Sequence, residues 1–281
     1  MSNVNIIVAG KHHTFREPVI GLEQSLQELG HSVNSVSWYV NNGDKIRIGN
    51  NNIYIGALYG RNIPIHKDRN NIYFCTEQYL INSPISNSST YIQFYDDIRE
   101  RFTVVVDMFK QMIHPTKKAV HRYCPIGWSP IWEENCNPDI KETINLLHLG
   151  VLQLKNTKRT GIHGLVKRTI SYGKQRDYEI QAAKINLSLQ TFSQGYEWTP
   201  YRMLYVVGKR KFLMADKHID YGPYIPNKHF IEFIGNDIRD TYNEWINKPD
   251  ERKQFAMAAY EDIKENHRYS MYLDEALKGV I

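Results

Sequence analysis

Cysteine is scarce: the 281 residues hold three, Cys75, Cys124 and Cys136, an odd number with no CxxC pair. Neither a disulfide framework nor a cysteine zinc site is indicated, and a reducing, cytoplasmic setting is expected. No apolar run approaches the roughly 18 residues of a membrane span, and no basic-then-apolar leader opens the chain, so no membrane partner is expected. Charge of one sign is also modest. Thirty-five Lys and Arg against 30 Asp and Glu leave a formal +5, which suits an anionic ligand but falls short of a dedicated nucleic-acid coat. Strong catalytic motifs are missing too. There is no Gly-x-x-x-x-Gly-Lys-Ser/Thr loop, no Gly-x-Ser-x-Gly elbow, no Asp-x-Asp pair and no evident pair of acids for glycoside hydrolysis, which disfavours NTPases, serine hydrolases and glycosidases.

What is present is an α/β pattern. "VNIIVA" at 4–9 reads as a strand closed by Gly10, "PVIGLEQSLQEL" at 18–29 as a helix stopped by Gly30, and "HSVNSVSW" as a second strand. "NNIYIGALYG", "NIYFCTEQ" and "FTVVVDMF" add strands, with Asn-rich loops at 41–52 and 70–71. The polar stretch at 133–143 reads as a linker, after which strands and helices alternate again. There "TGIHGLVK", "DYEIQAAK" and "PYRMLYVVG" read as helices, and the chain is expected to be helical from 237 onward with a break at Pro249. Three segments are expected: a Rossmann-like domain at 1–135, a second α/β domain at 136–260, and a C-terminal helix at 261–281 packing back on the first domain.

In open α/β sheets ligands bind at the carboxyl ends of the strands. Gly150 closes one such strand, and residues 151–176 carry seven basic side chains and no acid. Lys155 and Arg159, four apart, are spaced to reach one diphosphate. Tyr172-Gly173 ends the next strand, where a turn could hold a nucleoside, and Arg202 opens a helix after Glu197-Trp198-Thr199-Pro200. A solvated basic helix face is the plainer explanation of these charges. In the first half the loop Gly10-Lys11-His12-His13-Thr14 follows strand one. Adjacent histidines diverge and no third ligand is suitably spaced, so a divalent metal is not indicated. His114 and His121 read as surface residues. "NIYFCTEQ" is a buried strand ending on Glu77, an acid where a turn residue is usual.

These features together resemble the two-domain glycosyltransferases of the GT-B fold, two Rossmann-like doubly wound domains facing a central cleft. The second half is similar to the domain of spore-maturation-type glycosyltransferases in "LLHLG", "YEIQAAKINLSLQTF" and the terminal "KPDERKQFAMAAYEDIKENHRYSMYLDEAL". Along most of the chain it also resembles the DNA β-glucosyltransferase family of T-even bacteriophages, through "NIYFCTEQ", "CPIGWSPIWE", the Gly150–Arg159 segment and Arg202 followed by "MAD" at 214–216. The resemblance implies an inverting transferase with Glu77 as catalytic base, where that family has Asp. It implies Lys155, Arg159 and Arg202 on the donor diphosphate, and a nucleoside-diphosphate sugar, UDP-linked, as co-substrate with no tightly bound cofactor. Three residues after Arg202 that family has a ribose-binding Glu, and this chain has Tyr205, so Glu197 is a candidate substitute acid. The implied acceptor is a hydroxymethylated base in double-stranded phage DNA, flipped out of the duplex, with Arg61, Lys67, Arg69, Arg99 and Arg101 as phosphate contacts. Polysaccharide, protein or small-molecule acceptors, and a non-catalytic nucleotide-sugar-binding module, stay open as alternatives.

Overall fold

The computed structural model describes residues 1–8, 12–37, 49–56, 65, 68–76, 101–110, 120–150, 165–189, 200–218, 220–234 and 237–281, with the backbone alone at 12–15. It divides the chain into two units, residues 1–131 with 268–281, and residues 132–267.

In the first unit the strands are β1 (Asn3–Val8), β2 (Ser32–Ser37), β3 (Asn51–Ile55), β4 (Asn70–Cys75), β5 (Val104–Asp107) and β6 (Val120–Tyr123), with α1 (His12–Glu28) between β1 and β2. All pair in parallel, in the order β2-β1-β3-β4-β5-β6. Residues 71–75 of β4 are all buried, as expected for a parallel strand covered on both faces, whose sequence is an unbroken apolar run. The Asn-rich positions 51–52 and 70–71, where expected loops meet expected strands, fall within strands β3 and β4. Asn5, Asn52 and Asn71 stand in register across three strands. Asn52 donates to the Gly49 carbonyl at 2.9 Å and accepts from the Gly49 N–H at 3.0 Å, so its fully buried amide is satisfied. Helix α1 begins at His12, earlier than the periodicity predicted, and carries Pro18 inside it.

The second unit contains β7 (Ile144–Leu149), β8 (Val166–Thr169), α2 (Gly173–Ala182), β9 (Ala183–Ser188), α3 (Tyr201–Val207), β10 (Leu213–Asp216), β11 (Ile231–Phe233), α4 (Ile238–Ile246) and α5 (Pro249–Asn266). Its parallel sheet runs β8-β7-β9-β10-β11. Counted from its own first strand this is 2-1-3-4-5, the order with which the first unit also begins. Leu146, Ile185, Leu187, Phe212 and Met214 form its core with Ile238 and Tyr242 of α4. "TGIHGLVK" is not the helix the sequence predicted where it is described, since Val166 and Lys167 belong to β8; residues 160–164 lie outside the described residues. The expected break at Pro249 is the junction between α4 and α5: Pro249 is the first residue of α5, with Asp250 and Glu251 in its first turn, the placement that the missing proline N–H and the helix dipole favour.

The stretch expected to be a linker is tied into the second unit. Glu133 accepts from Arg210, Tyr260 and Lys264, and Glu142 pairs with Lys211 and Arg252. The expected boundary was residue 135; the first unit ends at Ile131. The C-terminal helix α6 (Tyr269–Leu277) belongs to the first unit. The Tyr269 N–H donates to the Trp128 carbonyl at 2.8 Å, and Arg122 donates to the Ala276 and Lys278 carbonyls. Among the described residues no helix is long and apolar enough to cross a membrane.

Candidate functional site

A sheet ordered 2-1-3-4-5 has its topological switch point between its first and third strands, and the ligand crevice opens there at the carboxyl ends. In the second unit those strands are β7 and β9. β7 ends at Gly150, whose φ of +105° lies in the region glycine alone enters without strain. A Cβ there would stand 3.1 Å from Nη2 of Arg202. Arg202 Nη1 donates to the Leu189 carbonyl at 2.8 Å, just past the end of β9. The guanidinium therefore bridges the ends of the two strands that define the switch point. Burial lowers its pKa, against the charge of Asp216, which raises it; arginine keeps its charge regardless.

Beneath Arg202 lies His148 of β7, 1% exposed. Its Nδ1 stands 3.1 Å from the Leu187 carbonyl, which can only accept, so that nitrogen carries the proton. Burial first, and the Arg202 charge second, pull its pKa from 6.5 to about 3. The imidazole is a neutral support for the strand ends and adds no second positive charge.

On the next strand, Asp216 ends β10 with its side chain 23% exposed, and His218 Nε2 lies 3.1 Å from Asp216 Oδ1. The His218 N–H donates to the Tyr221 hydroxyl at 2.8 Å, and that hydroxyl donates to Glu232. Burial, then the Glu232 contact, push the Tyr221 phenol pKa up. Asp216 was not singled out from sequence. The signal was available, because "KFLMAD" ends an apolar strand on an acid as "NIYFCTEQ" does.

The other predicted residues scatter. Tyr172 is 58% exposed at the N-cap of α2, beyond the carboxyl end of edge strand β8, and Gly173 has φ +58° with open space around it. Thr169 at the end of β8 accepts from the Gly150 N–H at 2.8 Å, so this turn adjoins the Gly150 turn. Tyr205 is elsewhere: its ring meets Trp132 edge-on at 5.3 Å and the Arg176 guanidinium lies over it at 3.8 Å. Those packing duties are not what a substitute for a ribose-binding acid would show. Lys155, Arg159, Glu197, Glu77, Gly10 and Lys11 lie outside the described residues. His12 opens α1 instead of sitting in a loop, and its side chain is likewise not described.

In the first unit, β4 runs to Cys75, which is in register with Asp107 at the end of β5. Asp107 is fully buried, and His121 Nδ1 stands 3.5 Å from its Oδ2 with its own side chain 3% exposed. His121 is thus a half-buried strand residue with an enclosed side chain and not the surface residue expected. Asp107 is a second acid closing an apolar strand, overlooked because "FTVVVDMF" continues apolar beyond it.

Among the described residues one group has metal-ligand spacing, His229, Asp262 and His267, with atoms within 4.8 Å of one another. His229 Nδ1 accepts from the Ile225 N–H at 3.0 Å, so its proton sits on Nε2 and is donated to Asp262 at 2.7 Å. Neither nitrogen keeps a lone pair for a metal, and Lys228 places a further cation 2.8 Å from the same carboxylate oxygen. Burial opposes ionisation of Asp262, but hydrogen bonds from Lys228, His229 and Asn266 hold its pKa well below the usual range. The cluster fastens the chain before β11 to α5.

No protein-family model matches the chain, and no curated protein sequence does. Solved structures do match. One is an alpha-glucosyltransferase in complex with UDP and a 13-mer DNA containing a central A:G mismatch, with TM-score 0.67, 9% identity, and 99% of this chain and 98% of that one covered. HepE from Anabaena, in complex with UDP and glucose, gives TM-score 0.59 at 9% identity over 98% of both chains. TarM gives 0.55 at 12% identity over 85% of this chain, which spans 56% of TarM's length. At such identities the likeness is one of fold, and that fold is the two-unit α/β architecture of the GT-B glycosyltransferases.

Proposed function

We propose that the chain is a glycosyltransferase that moves a sugar from a nucleoside-diphosphate sugar, UDP-linked, to an acceptor hydroxyl. The observation that carries this reading is Arg202 bridging Gly150 and the Leu189 carbonyl at the switch point of the second sheet. A fixed, desolvated guanidinium at the open ends of parallel strands suits a diphosphate whose charge grows as the glycosidic bond breaks. Two of the matching structures hold UDP in a chain of this fold, which supports the choice of nucleotide.

In this reading Arg202 takes the diphosphate, joined by Lys155 and Arg159 from the basic segment that follows Gly150. Tyr172 and Gly173 border the nucleoside. With Tyr205 committed to Trp132 and Arg176, Asp216 rather than Glu197 is the acid for the ribose hydroxyls, since its partly exposed carboxylate shares the strand-end rim with Arg202. Glu77, following buried β4, is the general base that takes the acceptor proton, and Gly10, Lys11 and His12, which follow β1 in sequence, border the acceptor. No metal has an assigned role.

A single base fits inversion. A second stereochemistry has one observation in its favour, the name alpha-glucosyltransferase carried by a matching structure: an α product from an α-linked UDP-sugar would mean retention. The DNA in that structure and the phage resemblance support double-stranded DNA with hydroxymethylated bases as acceptor, a reaction of the host cytoplasm.

The test is nucleoside-diphosphate release from a panel of donor sugars, with and without hydroxymethyl-base duplex DNA, followed by NMR of the anomeric proton in the product. Release that depends on DNA supports the DNA acceptor, and release with other hydroxyl acceptors supports transfer to those. No release with any donor would overturn transferase activity and leave a nucleotide-binding module. Glu77→Gln should lower turnover by about 10²- to 10⁴-fold, the usual range for a general base, with donor affinity unchanged. Parental turnover in that variant would remove Glu77 from the mechanism.

A further inference from the structure

At the amino-terminal end of the second sheet, opposite the Gly150 and Arg202 end, lies a pocket of about 370 Å³. Its walls are the 136–142 segment before β7, the α2–β9 junction, residues 209–212 before β10, and the first half of α5. β7 spans six residues, so the pocket is removed from Gly150 by about 20 Å at ~3.3 Å per strand residue.

Six cations line it, Lys184, Lys209, Arg210, Lys211, Arg252 and Lys253, against two carboxylates, Glu142 and Asp250. Glu142 is shared, pairing through one oxygen with Lys211 and through the other with Arg252 at 3.4 Å. Lys209, 3% exposed, donates to the Trp132 carbonyl at 2.6 Å and stands 3.8 Å from Asp177. Arg210 bonds through Nη1 to Cys136 of the pocket wall at 3.2 Å and through Nη2 to Glu133 and Tyr260. Lys184 and Lys253 make no ion pair among the described residues, so the charge of the pocket is not cancelled from within. Phe212, Ala256 and Met257 supply an apolar wall beside it.

We infer that this pocket binds a small phosphate-bearing molecule, at a site separate from Gly150 and Arg202. Beyond its internal pairs the pocket keeps the charges of Lys184 and Lys253, and a phosphate or diphosphate brings several negative oxygens into one small volume to answer both, where a singly charged carboxylate answers one. The volume falls within the range of small-ligand pockets, and its concave form suits a compact molecule better than a duplex backbone. The apolar wall gives the rest of such a molecule a surface to pack on. The inference does not depend on sugar transfer.

Pyrophosphate titrated calorimetrically into the full chain tests it. The parent should bind, and Lys184→Glu/Lys253→Glu should weaken that binding by about tenfold or more, an easily resolved 1.4 kcal/mol. Arg202→Ala should leave a pyrophosphate event within about twofold of the parental affinity, by the additivity of distant sites. Neither lysine has an ion pair to lose among the described residues, so circular dichroism of the double variant should match the parent. No binding to the parent, equal binding to the double variant, or loss on Arg202→Ala alone would each overturn the inference. Failure of the donor-site reading would show instead as absent UDP binding, with the pocket result standing by itself.

Discussion

His148 shows how one buried side chain can serve a charged neighbour. A protonated imidazole under Arg202 would place two cations together away from water, and burial forbids it. The unfolded chain takes up this proton near 6.5, the folded chain only near 3. Between those values the unfolded state holds more protons, so stability falls as pH drops below 6.5. The loss by pH 5 is roughly 2 kcal/mol from this residue, at about 1.4 kcal/mol per pH unit. His229 and His267, also lowered chiefly by burial, act in the same direction. His148→Asn keeps a donor for the Leu187 carbonyl and removes the titration. Urea unfolding at pH 7, 6 and 5 should therefore show a shallower decline for this variant than for the parent; an identical decline would contradict the assignment. The residue scale is also where the sequence was least legible. Tyr205 stood at a position where the resembling family has an acid, but its work depends on Trp132 and Arg176, which only folding brings to it. Asp107 and Asp216 repeat the pattern that made Glu77 conspicuous, and what separates fully buried Asp107 from partly exposed Asp216 is burial, which spacing does not reveal.

Among elements, the long apolar strands and the helices between them were readable because burial on both faces leaves a continuous hydrophobic run. β6 and β11 were not. β6 is the polar "VHRY", exposed or half-buried along its length, and β11 is three residues long. Both are edge strands, where one side of the ladder is free and sequence constraint is weakest. The start of the second unit depends on another tight fit. Gly208 follows α3 with ordinary helical angles, so its glycine is required by space and not by conformation. A Cβ would lie 2.2 Å from the Trp132 carbonyl oxygen, the atom that Lys209 Nζ also meets. Gly208→Ala should cost about 3 kcal/mol or more, as overpacking against backbone does. Chemical denaturation that returned the parental stability within about 0.5 kcal/mol would show that α3 and the Trp132 turn can separate freely.

For the whole molecule, two parallel sheets begin with one strand order, 2-1-3-4-5, and the carboxyl ends of their strands carry the candidate groups in each. In the second unit these are a fixed cation, a glycine turn and a partly exposed carboxylate. In the first unit a buried acid, Asp107, lies at the same carboxyl edge, two strands beyond the β1–β3 switch point and in register with the strand that leads to Glu77. The paired α/β organisation was legible from alternating strand and helix patterns, and Gly150 and Arg202, chosen separately from the sequence, come together in the fold. The basic pocket at the opposite sheet end was not legible, because its charges come from four separate stretches of chain. The account rests most heavily on Arg202 as the diphosphate ligand, and calorimetry with UDP tests this directly. UDP should bind the parent, and Arg202→Ala should weaken it by about 10- to 100-fold, as expected for a charged hydrogen-bonding group worth roughly 1.5–3 kcal/mol. Arg202→Lys should fall between the two, and Asp216→Asn should weaken UDP by a smaller factor. UDP binding of parental strength in Arg202→Ala, or no UDP binding by the parent, would contradict the account.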